Sequence, residues 1–310
     1  MQVKIAIIGA GSMGSLYGAM LSQNEENEVF LIDVWKEHID KINERGLLVH
    51  EGEKVLKYEK VKGLLDSKKA GVCDLVVVFV KSTLTESAVR ENIDLFDENT
   101  SVITLQNGLG NVDIIGEEAG FEKVLGGTTA HGAYMMGPGE ICHAGFGKTV
   151  IGELNGEASE RIISISDNFI KSGLETVISN NILGLIWDKL IVNIGINPLT
   201  AITGLENGKL LEYPELLSIM EKAVNGAVMV SEKKGIKLSQ EDPFSYVKEV
   251  ASKTAHNKSS MLQDIENKRK TEIDMINGAL VKEAEYLGID VPINEMLTKL
   301  IKFLEKRKYE

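Results

Sequence analysis

Val3-Lys4-Ile5-Ala6-Ile7-Ile8-Gly9-Ala10-Gly11-Ser12-Met13-Gly14 opens the chain with a short apolar run, a glycine turn and the start of a helical pattern that continues to about Gln23. Six apolar-rich residues ending in Gly-x-Gly-x-x-Gly predict a buried strand feeding a tight turn into a helix. Gly9 permits the turn, Gly11 lets backbone approach an anion without a side chain in the way, and Gly14 allows the helix to pack closely on the strand. The first helical residues, Ser12 and Met13, bring unpaired N–H groups and the positive end of the helix dipole to the same point.

Working outward, Val29 to Ile32 reads as a second strand, and Asp33 ends it 19 residues after Gly14. This is the context in which the fingerprint signals a dinucleotide. Leu75 to Val80 and Ser101 to Leu105 read as further buried strands separated by helical or loop segments, an alternation that predicts a parallel sheet covered by helices. The helical stretch 158–171 and a strand at 174–178 complete this first region, and the boundary falls near residue 180. Beyond it, helical patterns dominate at about 182–203, 213–234, 241–255, 264–287 and 292–306, punctuated by Gly235, Gly288 and Pro292. The second domain is expected to be all-α.

Size and composition agree with two domains, because 310 residues exceed what one core usually supports. A formal charge of -12 disfavours phosphate backbones and anionic lipid as partners, so a small molecule is expected, with no nucleic acid and no membrane. Cys73 and Cys142 are far apart and belong to no metal-ligand cluster, so no metal is expected. No signal peptide is visible and no apolar run is read as approaching the ~20 residues of a membrane span, which together with two cysteines fits a cytoplasmic protein.

Asp33 bears on which dinucleotide binds. A carboxylate there accepts hydrogen bonds from ribose hydroxyls and repels a 2′-phosphate, favouring NAD(H), whereas Lys81, after the third strand, and Lys36 offer positive charge. Gln106-Asn107-Gly108-Leu109-Gly110 follows a strand at the edge where ligands of open α/β sheets bind, so an amide there can meet nicotinamide or substrate, or simply shape a turn. His131, in Gly126-Gly127-Thr128-Thr129-Ala130-His131, is a proton donor or, more commonly for a lone histidine, a structural hydrogen-bonding residue.

The first helix of the second domain carries the main constellation. Lys189, Asn193 and Asn197 are spaced i, i+4, i+8 and form one stripe on a helix otherwise apolar almost all round. A buried lysine needs a reason. Reducing a ketone requires a proton and positive charge at the developing alkoxide, and a desolvated lysine supplies both. A nearby carboxylate, Glu272 or Asp274, would orient it and push its pKa back up. Ser259 and Ser260 are placed to cap the following helix or to bind a substrate carboxylate.

These residues sit in longer motifs: GAGSMG at the N-terminus, QNGLGN at 106–111, GGTTAHG at 126–132, WDKLIVNIGINPLTAI at 187–202, ENGKL at 206–210, SSMLQDI at 259–265 and TEIDMING at 271–278. In these motifs the chain resembles the ketopantoate reductase (2-dehydropantoate 2-reductase) family along essentially its whole length. The resemblance implies an α/β class, with an N-terminal Rossmann-type doubly wound parallel sheet over 1–180 and a C-terminal all-α substrate domain over 181–310. It implies reduction of ketopantoate to D-pantoate by NADPH, on the way to pantothenate and coenzyme A. By motif, Lys189 would be the general acid, and Glu272 would hold it and bind both a substrate hydroxyl and the cofactor. Asn193 and Asn197 would position substrate, Asn207 would close over it, Ser260 would take its carboxylate, and Asn107 would lie between nicotinamide and substrate. Gly9, Gly11, Ser12, Met13, Gly14, Asp33 and Lys81 would hold the cofactor. Homodimerisation through the helical domain is a family-level expectation.

Asp33 departs from the family pattern, where an NADP(H)-preferring member has a basic residue, and implies NAD(H) or dual use. That acid is also similar to the NADH-dependent D-2-hydroxyacid dehydrogenases, which reduce branched or aromatic 2-oxo acids. They are the alternative enzyme reading. A noncatalytic NAD(P)H sensor is the alternative from outside enzymology, and the buried lysine argues against it.

Overall fold

The computed structural model describes residues 2–307. The chain divides into two compact units, one formed by Met1–Gln106 with Asn111–Ile182 and the other by Asn107–Gly110 with Leu183–Glu310. The division is therefore not a single cut near residue 180, because the Asn107 tetrapeptide leaves the first unit to join the second.

In chain order the first unit contains β1 (Val3–Ile8), α1 (Ser12–Leu21), β2 (Asn27–Ile32), α2 (Lys36–Arg45), β3 (Leu47–Glu51), β4 (Lys54–Tyr58), β5 (Lys62–Leu64), β6 (Leu75–Val78), α3 (Thr85–Glu91), β7 (Ser101–Thr104), α4 (Asn111–Ala119), β8 (Val124–Thr129), β9 (Gly132–Gly137), β10 (Glu140–Gly145), β11 (Thr149–Glu153), α5 (Glu160–Lys171) and β12 (Thr176–Ile178). The main sheet runs β12-β11-β8-β7-β6-β1-β2-β5. Every pairing in it is parallel except β11 with β8. From β1 the winding goes one way through β2 to β5 and the other way through β6 and β7 to β8, so the switch point of the sheet falls at the glycine turn. The central strands are fully buried, as expected of a parallel sheet covered on both faces.

A second sheet, β4-β3-β10-β9, was not foreseen from the sequence. Its β10 pairs parallel with β3, a segment far away in the chain. β4 exposes most of its side chains, so no alternation marks it.

The second unit is all-α apart from short turns, with α6 (Ile182–Thr203), α7 (Pro214–Lys233), α8 (Pro243–Lys253), α9 (Ser260–Glu266), α10 (Asn277–Leu287) and α11 (Pro292–Arg307). Two expectations need correction. The pattern at 264–287 is not one helix: α9 stops at Glu266, Lys268 takes φ +55°, and a single 3₁₀ turn at Ile273–Met275 precedes α10. Also, α6 is 22 residues long with a mean hydropathy of 1.3 in its most apolar window, so by length and composition it reaches the membrane-spanning range. With 67% of that window buried, and with Asp188, Lys189, Asn193 and Asn197 along it, α6 is the core helix of this unit. Gly195 lets it lie close to its neighbours: a Cβ there would stand 3.0 Å from Val247 and 3.1 Å from Val224.

Candidate active site

The glycine turn is built from both sides. Gly9 has φ +98°, and a Cβ on it would come 2.7 Å from the Val80 nitrogen. One on Gly14 would come 1.9 Å from the Gly9 carbonyl oxygen, so neither position accepts a side chain. At Gly11 a Cβ would meet no protein atom within 4 Å. Protein packing does not demand glycine there, whereas a pyrophosphate approaching the backbone does. Gly11 caps α1 with no side-chain hydrogen bond, and the first turn holds no acid, so the N–H groups of the Ser12-Met13-Gly14 turn face no competing carboxylate.

Asp33 anchors this turn. Its carboxylate accepts from Ala10 N (2.7 Å) and Trp35 N (2.9 Å). The Ala10 carbonyl accepts from Ser15 Oγ (2.9 Å), which itself lies 3.1 Å from His38 Nε2. Because His38 Nδ1 accepts from Gly139 N (2.9 Å), its Nε2 carries the proton and donates to Ser15. Lys36 is engaged with Asp40 at 2.5 Å on α2, while Lys81 is exposed beyond the end of β6. Asp33 thus stands without Lys36 as a counter-charge.

His131 belongs to a relay. Glu51 Oε1 accepts from His143 Nδ1 (3.0 Å), which in the neutral pair leaves His143 Nε2 to accept from His131 Nδ1 (3.0 Å). Burial, and then the neighbouring His143, lower the His131 pKa, with the Gly145 backbone acting weakly the other way. Both effects disfavour the charged form of His131. Gln106 is likewise occupied: its Nε2 donates to the Val80 carbonyl (2.6 Å) and to Thr85 Oγ1 (2.9 Å), and its Oε1 accepts from Thr104 Oγ1 (2.9 Å).

In the second unit, α6 carries Lys189 and Asn193, both partly exposed as whole residues, and the buried Asn197. Burial of the Lys189 ammonium pushes its pKa down to about 8, and the negative charge of Glu272 acts to raise it. Of the two carboxylates, Glu272 is the one whose charge acts on Lys189, while Asp274 is paired with Lys302 Nζ at 2.5 Å. Glu272 occupies the break between α9 and α10. Thr271 beside it donates through N and Oγ1 to Glu305 Oε1 (both 2.7 Å) and accepts from Ile273 N (3.2 Å). The Asn107 segment is clamped to the same turn: Leu109 N donates to the Met275 carbonyl (2.9 Å), and a Cβ on Gly108 would lie 2.6 Å from that oxygen.

The serines divide the labour. Ser259 is buried, caps α9 by accepting from Leu262 N (3.0 Å) and meets Thr200 Oγ1 at 2.7 Å, whereas Ser260 is exposed. Asn207 is buried, donating through Nδ2 to Thr254 Oγ1 (2.9 Å) and through its backbone N to the Asn257 carbonyl (3.0 Å). Its Oδ1 has no hydrogen-bond partner. Asp188, missed in the sequence, is buried and accepts from Ser239 N (3.2 Å) and Ser239 Oγ, and burial raises its pKa. It pins the turn of α6 that presents Lys189. Among the described residues no cluster of His, Cys, Asp or Glu could hold a metal.

Residues 5–156 match the family model described as ketopantoate reductase PanE/ApbA, and residues 181–305 match its C-terminal counterpart. The chain belongs to the ketopantoate reductase family. A 2-dehydropantoate 2-reductase of Halobacterium salinarum is 36% identical over 98% of this chain and 99% of its own. Among solved structures, a PanE/ApbA family ketopantoate reductase from Ralstonia eutropha JMP134 aligns with a TM-score of 0.91 at 30% identity, covering 99% of this chain and 100% of that one. The ternary structure of D-mandelate dehydrogenase with NADH and anilino(oxo)acetate aligns equally well, with a TM-score of 0.91 at 32% identity over 98% of both chains. This ketopantoate reductase family member is therefore an oxidoreductase with an α/β dinucleotide-binding unit and a helical unit.

Proposed function

We propose that this chain reduces ketopantoate to D-pantoate, with Lys189 as the general acid. The observation that carries the reading is a desolvated lysine whose pKa of about 8 leaves it protonated at neutral pH yet willing to give the proton up. The full-length likeness to 2-dehydropantoate 2-reductases supports the substrate. The cofactor is a nicotinamide dinucleotide, in keeping with the NADH bound to the similar D-mandelate dehydrogenase. When bound, the reduced nicotinamide supplies the hydride.

The residues of this chain supply the rest. Gly9, Gly11, Ser12, Met13 and Gly14 would hold the pyrophosphate. Lys189 would donate its proton to the carbonyl oxygen and stabilise the negative charge that develops there. Glu272 would keep the lysine oriented and bind a substrate hydroxyl and the cofactor. Asn193 and Asn197 would position the substrate, Ser260 would take its carboxylate, Asn207 would close over it, and Asn107 would stand between substrate and nicotinamide. Asp33, already fixed by two backbone N–H groups, would favour NADH by repelling a 2′-phosphate, with Lys81 allowing NADPH some access.

Steady-state oxidation of NADH and NADPH, each with ketopantoate, 2-oxoisocaproate and phenylglyoxylate, tests the reading. The highest kcat/KM is expected with ketopantoate, and Asp33→Asn is expected to shift the coenzyme ratio toward NADPH. A second reading, reduction of a bulkier 2-oxo acid with NADH, draws on Asp33 and the likeness to D-mandelate dehydrogenase, and preference for phenylglyoxylate would establish it instead. Absence of turnover with all three acids would leave the sensor reading.

A further inference from the structure

A buried polar network lies beyond the ends of β6 and β7, and none of the roles above uses it. Thr85 is its hub. It is fully buried and accepts from Gln106 Nε2 at 2.9 Å, while its hydroxyl proton is shared between Asn111 Oδ1 (2.9 Å) and the Ser82 carbonyl (3.1 Å). Asn111 Nδ2 donates to Ser82 Oγ (3.2 Å), and both residues are buried. The other N–H of Gln106 goes to Val80, whose backbone nitrogen is also the atom that a side chain on Gly9 would strike. Three segments therefore meet at this point: the glycine turn, the Val80-Lys81 segment and the end of β7, from which Asn107 follows directly. The ends of parallel strands on either side of the switch point are where this fold class receives its ligand. A satisfied buried network costs desolvation and in exchange specifies one arrangement.

We propose that Gln106 and Thr85 are positioning residues for the reduction: acting through backbone, they fix the end of β7, from which Asn107 follows in the chain, beside the glycine turn so that the nicotinamide end of the cofactor is held for hydride transfer. The inference rests on the ketopantoate reductase reading and on the role given there to Asn107. The network's hydrogen bonds run between protein groups, so its loss should slow the chemical step and weaken the grip on the nicotinamide end without disturbing the adenosine end.

Thr85→Val removes the hydroxyl at nearly constant volume, and Thr85→Ser keeps it. NADH and ADP-ribose, which lacks nicotinamide, are titrated against wild type and both variants, and kcat is measured with NADH protiated or deuterated at the transferred position. In Thr85→Val, kcat for ketopantoate should fall about tenfold to a hundredfold with KM within about twofold, and the isotope effect on kcat should rise as hydride transfer becomes limiting. The advantage of NADH over ADP-ribose in affinity should shrink, with ADP-ribose itself bound as by wild type, and Thr85→Ser should restore all of these. Equal weakening of NADH and ADP-ribose, or an unchanged isotope effect beside a lowered kcat, would overturn the proposal. If Thr85→Val does not fold, Ser82→Ala, which removes only the outer hydroxyl, should give the same pattern at a smaller amplitude, and wild-type behaviour in it would count against the network. Should wild type fail to reduce ketopantoate, the functional reading falls by itself. The NADH to ADP-ribose ratio still decides the positioning role.

Discussion

The glycine turn at residues 9–14 and the Glu272 turn at 267–276 both bring backbone and a functional group to one place, but they are built by opposite means. The first is local. Gly9, Gly14 and the flanking strand and helix define it within a dozen residues, and Asp33 adds a single clasp from β2. The second is assembled from afar, by Glu305 on Thr271, Lys302 on Asp274 and the Met275 carbonyl accepting from Leu109. A site made by short-range sterics announces itself as a motif. One made by distant partners looks, locally, like the middle of a helix.

Substitutions at the two turns should therefore fail differently. The largest effect is expected within the glycine turn itself. Gly14→Ala forces a Cβ to within 1.9 Å of a carbonyl oxygen and should abolish stable folding of the first unit, seen as loss of the cooperative thermal transition. Gly11→Ala adds a Cβ that meets no protein atom within 4 Å, so its Tm should stay within about 2 °C of wild type while NADH affinity falls about a hundredfold, roughly 2.7 kcal/mol. Loss of stability in both would show that Gly11 serves the fold rather than the ligand.

In the second unit, Lys189→Ala should lower kcat by about 10³-fold with NADH affinity nearly unchanged, since a general acid typically contributes 10²–10⁴-fold. Near-normal turnover in that variant would remove the mechanism. Thr271→Val removes the hydroxyl half of the long-range clasp on Glu305, keeping the backbone N–H half, and leaves the Ile273 N–H without its side-chain acceptor. It should cost about 1–2 kcal/mol in urea unfolding and reduce kcat about tenfold, because Glu272 loses its fixed neighbour. The smallest effect is expected at Ser259→Ala, where loss of the α9 cap should cost about 1 kcal/mol and leave the pH profile of the reaction intact.

Legibility in the sequence follows the same division. The order strand, glycine turn, helix, strand, acid could be read at sight, as could α6, α7, α8 and α11, because hydrophobic periodicity and terminal glycine or proline act within a few residues. The stripe of Lys189, Asn193 and Asn197 was legible for the same reason. The second sheet was not, because β10 meets β3 across a long separation and β9 carries glycine and methionine where β-branched residues would have marked it. That Asp274 is engaged by Lys302, and that Ser259 is a buried cap held by Thr200 while Ser260 is exposed, needed partners far away in the chain. Gln106 showed as an amide at a ligand-facing edge. Only its three hydrogen-bond partners show that its side chain works on the protein.

The account depends most on Lys189 as a proton donor tuned by burial against Glu272, and the pH dependence of kcat/KM for ketopantoate reduction in wild type and Glu272→Gln tests that directly. A donor must be protonated to act, so wild-type activity should hold below pH about 8 and fall as pH rises through the lysine pKa. Glu272 raises that pKa, so its neutralisation should lower it further and move the alkaline limb to lower pH. A limb that stays in place in Glu272→Gln, or moves to higher pH, would contradict the coupling of these two residues on which the mechanism stands.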